Sequence, residues 1–298
     1  MKANYMNYFK DGNCYQWDKD NNIFIITPTK IDPELEFCLD KKMMETFLKF
    51  ESPKLKLGKT LQVQENQIKV NLKLTETPLV IPTMEVTSTT YVEVSDLITA
   101  CNYSAKTDKK PVLTGVFIGR NYIGATDSFS GYFKEIESNA NITLPVEFIS
   151  LLSGADGEIE ISSNKNNAKM RVGDSTVIGR LLDGEYPALE NIASYRTKME
   201  TKNIEFNVKE FLKLISFASD EKDFVILSNN KFKIDGLIPF EAELKDFDLD
   251  CEMIFAVSYL KTVLKDLKTE KATFCYVGEK RPVFINQKFI LLPLTRML

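Results

Sequence analysis

The chain has 298 residues, 44% of them hydrophobic and 27% charged, with a formal net charge of -4. That length supports two or three cores, and no apolar run approaches the ~18 residues a membrane helix needs. Histidine is absent, which excludes Ser-His-Asp and Cys-His nucleophile systems and His-ligated metals; a non-enzymatic protein without cofactor is expected. The opening MKANYMNYFKDGN carries no apolar h-region, and the five cysteines are scattered without a C-x-x-C pair. Both features suit a cytoplasmic protein with reduced thiols.

In chain order, the first helical pattern lies in LDKKMMETFLKFESPKLKL from Leu39, with Asp40 as its N-cap. LGKT at 57–60 ends like a phosphate-binding loop, but Pro53 stands where that loop needs glycine, so a turn between strands is expected. PTMEVTSTT, 82–90, is polar and aperiodic and reads as a linker. VEVSDLITACNYSAK from Val92 carries the next helix, with Ser95 at its N-cap. NYIGATDSFSGYF follows; its Asp127 has no histidine or second carboxylate nearby, so it reads as a strand and turn. LPVEFISLLSGADGEIEIS from Leu144 is a third helix, with Pro145 suited to a first turn. The alternating runs GEIEIS and AKMRV then form half-buried strands joined at SNKNN.

ASYRTKMETKN, 193–203, reads as a second linker. In FNVKEFLKLISFASD from Phe206, Asn207 caps a helix and Glu210 takes the capping-box position. LSNNK is a hairpin loop before the strand KFKI. DFDLD sets Asp246, Asp248 and Asp250 on one side of an extended segment, where a cation could bind. No partner Glu or His accompanies them, so a metal-dependent nuclease is the least favoured reading and an acidic loop the commoner one. In the last helix Val257, Leu260, Val263, Leu264 and Leu267 form one apolar stripe, and ATFCYV reads as the strand after it.

The segments starting at Leu39, Leu144 and Phe255 share one plan and recur at intervals of about 105 and 110 residues. Those starting at Val92 and Phe206 lie about 114 residues apart. The chain is therefore expected to be α+β, built of half-domains of one helix and several strands. Three domains are expected, 1–87, 88–200 and 201–298, the first with one clear helix where the others have two. Lys42 and Lys49, Lys209 and Lys213, and Lys261, Lys265 and Lys268 fall on polar faces of corresponding helices. One such face is ordinary solvated surface, but repeated on equivalent helices it makes a line of positive charge suited to a phosphate backbone, without base reading. The C-terminal KFILLPLTRML is apolar to its end, as in a tucked-in terminus or a groove for a partner.

Three motifs occur in order: Pro-Val-Leu-Thr-Gly-Val at 111–116, Ala-Thr-Asp at 125–127, and Arg-Leu-Leu-Asp-Gly-Glu-Tyr-Pro at 180–187. With FAVSYLKTVLKDLK and the ending LLPLTRML, they make the chain from about residue 88 onward similar to the bacterial β sliding clamp family, the DNA polymerase III β subunit. The resemblance implies the DNA-clamp fold, a head-to-tail homodimer ring with helices lining a central hole and sheets outside. It implies a processivity factor for DNA replication, nucleoid-associated, encircling double-stranded DNA without sequence specificity. It also implies that polymerase and clamp loader bind through short peptide motifs in a cleft. Leu113, Thr126, Pro187, Ile192, Tyr259, Leu292, Pro293 and Leu294 stand at cleft positions, and Arg296 at the penultimate arginine. The lysines above would then face DNA.

Two departures bear on the cleft. Ser128, Phe129, Ser130 and Gly131 replace the family's Gly-His-Arg-Leu, and Ala256 replaces an asparagine. A less polar cleft with a different peptide preference is expected, with Phe129 as the distinguishing residue. The first domain lacks the family's opening strand and helix, as in a shortened, divergent member. The alternative is a clamp-like adaptor or decoy that binds clamp-binding peptides without encircling DNA.

Overall fold

The computed structural model describes residues 5–75 and 82–294. Strands β1 (Tyr5–Lys10), β2 (Asn13–Asp18) and β3 (Ile23–Pro28) form a meander, and β4 (Phe37–Leu39) returns beside β1. The β1–β2 hairpin turns on Asp11 and Gly12, both at positive φ, which matches the strands' twist. Helix α1 (Lys41–Phe47) follows, then a second meander, β5 (Lys54–Leu57), β6 (Thr60–Glu65) and β7 (Ile68–Lys73). Gly58 and Lys59 of LGKT form the β5–β6 turn.

The plan then recurs with an added strand and helix in front. These are β8 (Ser88–Glu93) and α2 (Val94–Cys101). A 3-10 turn (Pro111–Thr114) leads to β9 (Gly115–Ile118), β10 (Tyr122–Thr126), β11 (Ser130–Glu135) and β12 (Ile142–Pro145). After α3 (Val146–Ser150) come β13 (Glu158–Ser163), β14 (Asn167–Val172) and β15 (Ser175–Arg180). Two short helices, α4 (Leu189–Ala193) and α5 (Tyr195–Lys198), precede the third occurrence. That comprises β16 (Lys202–Asn207), α6 (Val208–Ile215), β17 (Phe224–Ser228), β18 (Lys231–Asp235), β19 (Phe240–Glu243), β20 (Met253–Ala256), α7 (Val257–Asp266), β21 (Lys271–Tyr276), β22 (Val283–Ile285) and β23 (Phe289–Leu291).

Every strand pairing among the described residues is antiparallel. Two eight-stranded sheets run β4-β1-β2-β3-β15-β14-β13-β8 and β12-β9-β10-β11-β23-β22-β21-β16. Each joins a four-strand set from one repeat to a four-strand set from the next, at β3–β15 and at β11–β23. The unjoined sets remain as the four-stranded sheet β19-β18-β17-β20 and the three-stranded sheet β5-β6-β7. The chain forms two compact units, Met1–Val94 with Glu147–Leu181, and Ser95–Val146 with Leu182–Leu298. These group the chain by sheet rather than by consecutive sequence.

In the first unit Phe9, Phe37, Leu39, Phe47, Leu61 and Val63 form a core under α1. In the second, Leu113, Tyr122, Phe133, Tyr186, Leu189 and Ile290 form one core, and the rings of Phe206, Phe211, Phe232 and Phe247 pack beneath α6. Gly115 of the first motif lies so close to the Leu144 carbonyl that a Cβ would meet it at 2.5 Å. No other residue fits there.

Local readings fare unevenly. Asp40 accepts from the Met43 N–H at 2.8 Å and Asn207 from the Glu210 N–H at 3.0 Å, so both cap as expected. Ser95 instead lies inside α2, and Pro145 ends β12 opposite Gly115. Neither linker is structureless: Ser88–Thr90 is paired in β8, and 193–203 contains α5 and the start of β16. The stripe of the last helix is buried at Val257, Leu260, Val263 and Leu264, with Leu267 just past its end. DFDLD is irregular rather than extended, with Asp246 at φ 59.

Candidate functional site

The β10–β11 turn is built by its own side chains. Asp127 Oδ1 accepts from the N–H groups of Phe129 (3.0 Å) and Ser130 (2.7 Å) and from the Ser130 hydroxyl (3.1 Å). Thr126 Oγ1 donates to the Ser130 carbonyl at 2.7 Å and accepts from the Ser128 N–H at 3.0 Å. Ser128 sits at φ 78, a costly conformation for a residue with a Cβ that this network holds in place. One carboxylate oxygen, Oδ1, thus holds the turn, and the turn presents the Phe129 ring, 47% exposed, to solvent. That ring stacks on Tyr259 of α7, with centroids 5.7 Å apart and planes 17° apart.

The segment after β23 is pinned at both ends. The Leu292 N–H donates to the Phe129 carbonyl at 2.9 Å, and the Leu294 N–H to the Ile254 carbonyl of β20 at 2.8 Å. Leu292, Pro293 and Leu294 are half-buried, held as a short apolar ledge beside the Phe129–Tyr259 stack. Five expected cleft residues are thereby brought together. The others gather on the neighbouring core: Leu113 is buried there, Ile192 is half-buried against it, and Pro187 is exposed, its carbonyl accepting from the Tyr122 hydroxyl at 3.5 Å. The buried Tyr186 hydroxyl accepts the Thr126 N–H at 2.9 Å and ties the two groups. Burial pushes the Tyr186 hydroxyl well above its ordinary range, so it stays protonated. Leu113 and Thr126 are closed from solvent and act as packing beneath the exposed residues. Arg296 lies outside the described residues.

Lys42 is exposed on α1, Lys209 and Lys213 on α6, and Lys265 on α7, where half-buried Lys261 faces Glu221 at 3.8 Å. Lys49 and Lys268 correct the helix assignment: α1 ends at Phe47 and α7 at Asp266, so both lysines sit just past helix ends. The tight turn formed by Lys49 and Phe50 on the Thr46 and Phe47 carbonyls closes α1 early. Lys261 and Lys265 also line a recess of about 530 Å³ together with Phe129, Tyr259 and Lys106. Expected cleft and expected DNA face therefore border one recess beside α7.

Sequence reasoning missed Tyr186 and Arg196. The Arg196 guanidinium donates to the carbonyls of Ala193 and Gln287 and to Glu135, and lies over the rings of Phe133 and Phe284. It fastens α5 to the second sheet. Only the Glu-Tyr-Pro of the third motif hinted at Tyr186, and nothing hinted at Arg196. At DFDLD, Phe247 and Leu249 are buried, Asp250 is engaged by Lys202 and the Tyr276 hydroxyl, and among the described residues no three metal-ligating side chains converge. Lys202 comes first in holding the Asp250 carboxyl below its usual range.

No protein-family model matches the chain. A crystal structure of DNA polymerase III subunit β from Pseudomonas aeruginosa superposes with TM-score 0.80 at 15% identity, covering 98% of this chain and 93% of that one. The β subunit from Thermotoga maritima superposes with TM-score 0.76 at 18% identity, covering 99% and 91%. The fold is thus the DNA-clamp fold, in its three-repeat form. The β sliding clamp of Staphylococcus aureus is 25% identical over 219 residues, 65% of this chain. The chain thus has the fold of the bacterial β sliding clamps and resembles them in sequence over 65% of its length, as a divergent similarity. It spans 58% of the length of the curated relatives it matches.

Proposed function

We propose that the protein is a non-enzymatic sliding clamp, a processivity factor that encircles duplex DNA and tethers a polymerase through a peptide cleft. The observation that carries this is the repeated joint. The outer strand of a meander pairs with the last strand of the next repeat at β3–β15 and again at β11–β23. By the same rule β19 and β7 are a complementary pair, each without a mate on its outer edge among the described residues. β7 carries Lys69 and Lys73, and β19 carries Glu241 and Glu243. Pairing of β19 with β7 of a second copy gives a head-to-tail homodimer, and charges of opposite sign across that edge favour the pairing.

On this reading the three sequence segments 1–87, 88–200 and 201–298 are the clamp's domains. The exposed lysines of α1, α6 and α7 face the DNA backbone, where weak salt-sensitive contacts suffice because closure, not affinity, retains the ring. The Phe129–Tyr259 stack and the Leu292–Leu294 ledge receive the apolar anchors of polymerase and loader peptides. The test is retention on closed circular DNA after loading, with mass measured in solution. A dimer released when the circle is cut is the expected result. A strictly monomeric protein that never stays on circles would leave the adaptor reading in its place.

A further inference from the structure

The first repeat is the exception in an otherwise regular chain. β8 pairs along β13, and β16 pairs along β21. Each leads directly into a helix, and α6 packs against α7. The corresponding β5 has no strand on its outer edge among the described residues. Its apolar residues are less covered than those of the other two strands: Leu55 and Leu57 are only half-buried, whereas Ile159 and Ile161 of β13 and Ala272 and Phe274 of β21 are buried. Beside this edge a recess of about 960 Å³ is lined by Phe9, Leu35, Met44, Phe47, Phe50 and Leu55. Leu48, at the end of α1, is 68% exposed.

We infer that this edge and recess form a docking site for a strand–helix segment of a partner polypeptide, which adds as a fourth strand to β5 and lays its helix against α1. The internal repeats define what fits. β8–α2 reads TYVEVSDLITAC and β16–α6 reads IEFNVKEFLKLI, with apolar residues at the same positions. The required segment therefore alternates apolar and polar residues over one short strand. It then passes without a loop into a helix with an apolar stripe. The exposed face of β5 carries Lys54 and Lys56, so the partner strand carries acidic residues opposite them. The third repeat already makes that contact, with Lys271 of β21 bonded to Glu205 of β16. An open strand edge over an apolar recess is the arrangement that strand addition completes.

The site needs neither DNA nor polymerase, so its test is independent of the proposed activity. The probe is a synthetic peptide of residues 202–217, offered to the full chain while amide exchange is followed. Saturable protection of 54–57 and of α1 is expected. Lys56→Glu, on an exposed position, should weaken binding about fivefold through like charge across the strands. A peptide carrying Glu205→Lys should bind that variant better than the original chain. Protection confined to other strands, or none at millimolar peptide, overturns the inference. So does protection of β5 in the protein alone that rises with its concentration, since a second copy would then hold the edge.

Discussion

At the scale of single residues, the turn at Asp127 shows how a motif that looks catalytic is spent on geometry. Tyr186→Phe removes the acceptor of the buried Thr126 N–H and should cost about 1–3 kcal/mol in a denaturant titration. Phe129→Ala removes an exposed ring stacked on Tyr259. It should leave the unfolding midpoint nearly unchanged while weakening a polymerase-derived clamp-binding peptide about tenfold, as loss of an aromatic anchor does. Unaltered peptide affinity would place the cleft elsewhere. Asp223 supplies a pH dependence. The Asp220 N–H and the Ser219 hydroxyl and N–H bond its carboxylate, which lowers its pKa. A lowered folded pKa means stability fully present above the unfolded value of about 3.9 and lost as pH falls through the folded one. Acid titration of Asp223→Asn should therefore show a shallower loss of stability below about pH 4 than the unaltered chain.

At the scale of elements, the helices allow the two proposed roles to be tested apart, since α6 carries one and α7 borders both. Lys209→Glu with Lys213→Glu on α6 alters exposed lysines that do not line the recess beside Phe129, and should reduce DNA retention and its salt slope by roughly two phosphate contacts. Peptide binding should be untouched. The same reversal at Lys261 and Lys265, which line the recess with Phe129 and Tyr259, should disturb both. Period and capping made these elements legible: Asp40, Asn207 and the Val257–Leu264 stripe act locally, so the sequence states them directly. What sequence concealed was long-range. Thr89 and Thr90 read as linker because their partner strand lies about 70 residues away, and β-propensity is decided by such partners. Ser95 and Pro145 were misplaced because each strand runs into its helix without an intervening loop. The residues gathered around Phe129 and Tyr186 lie in or beside motifs the sequence displays, but Arg196, bonded to carbonyls and seated over rings, left no pattern to find.

At the scale of the whole molecule, the proposed ring closure rests on two strand edges of opposite charge. Lys69→Glu with Lys73→Glu should convert dimer to monomer in sedimentation at low salt, and adding Glu241→Lys with Glu243→Lys should restore the dimer. Failure of the quadruple variant to reassociate would mean the edges do not meet. The joints also explain how 15% identity coexists with a TM-score of 0.80. They are made by backbone hydrogen bonds, which tolerate side-chain change.

The β3–β15 joint has a further consequence, in time rather than space. Ile23–Ile26 pairs with Thr176–Gly179, about 150 residues further along the chain. At roughly 5–20 residues per second, a ribosome makes β3 and then leaves its edge unmated for about 7–30 seconds. Through that interval Phe24, Ile25 and Ile26 form a bare apolar strand edge, the kind that templates aggregation. Slow synthesis should therefore lower the soluble yield of this chain, and a chaperone that holds nascent strands should raise it.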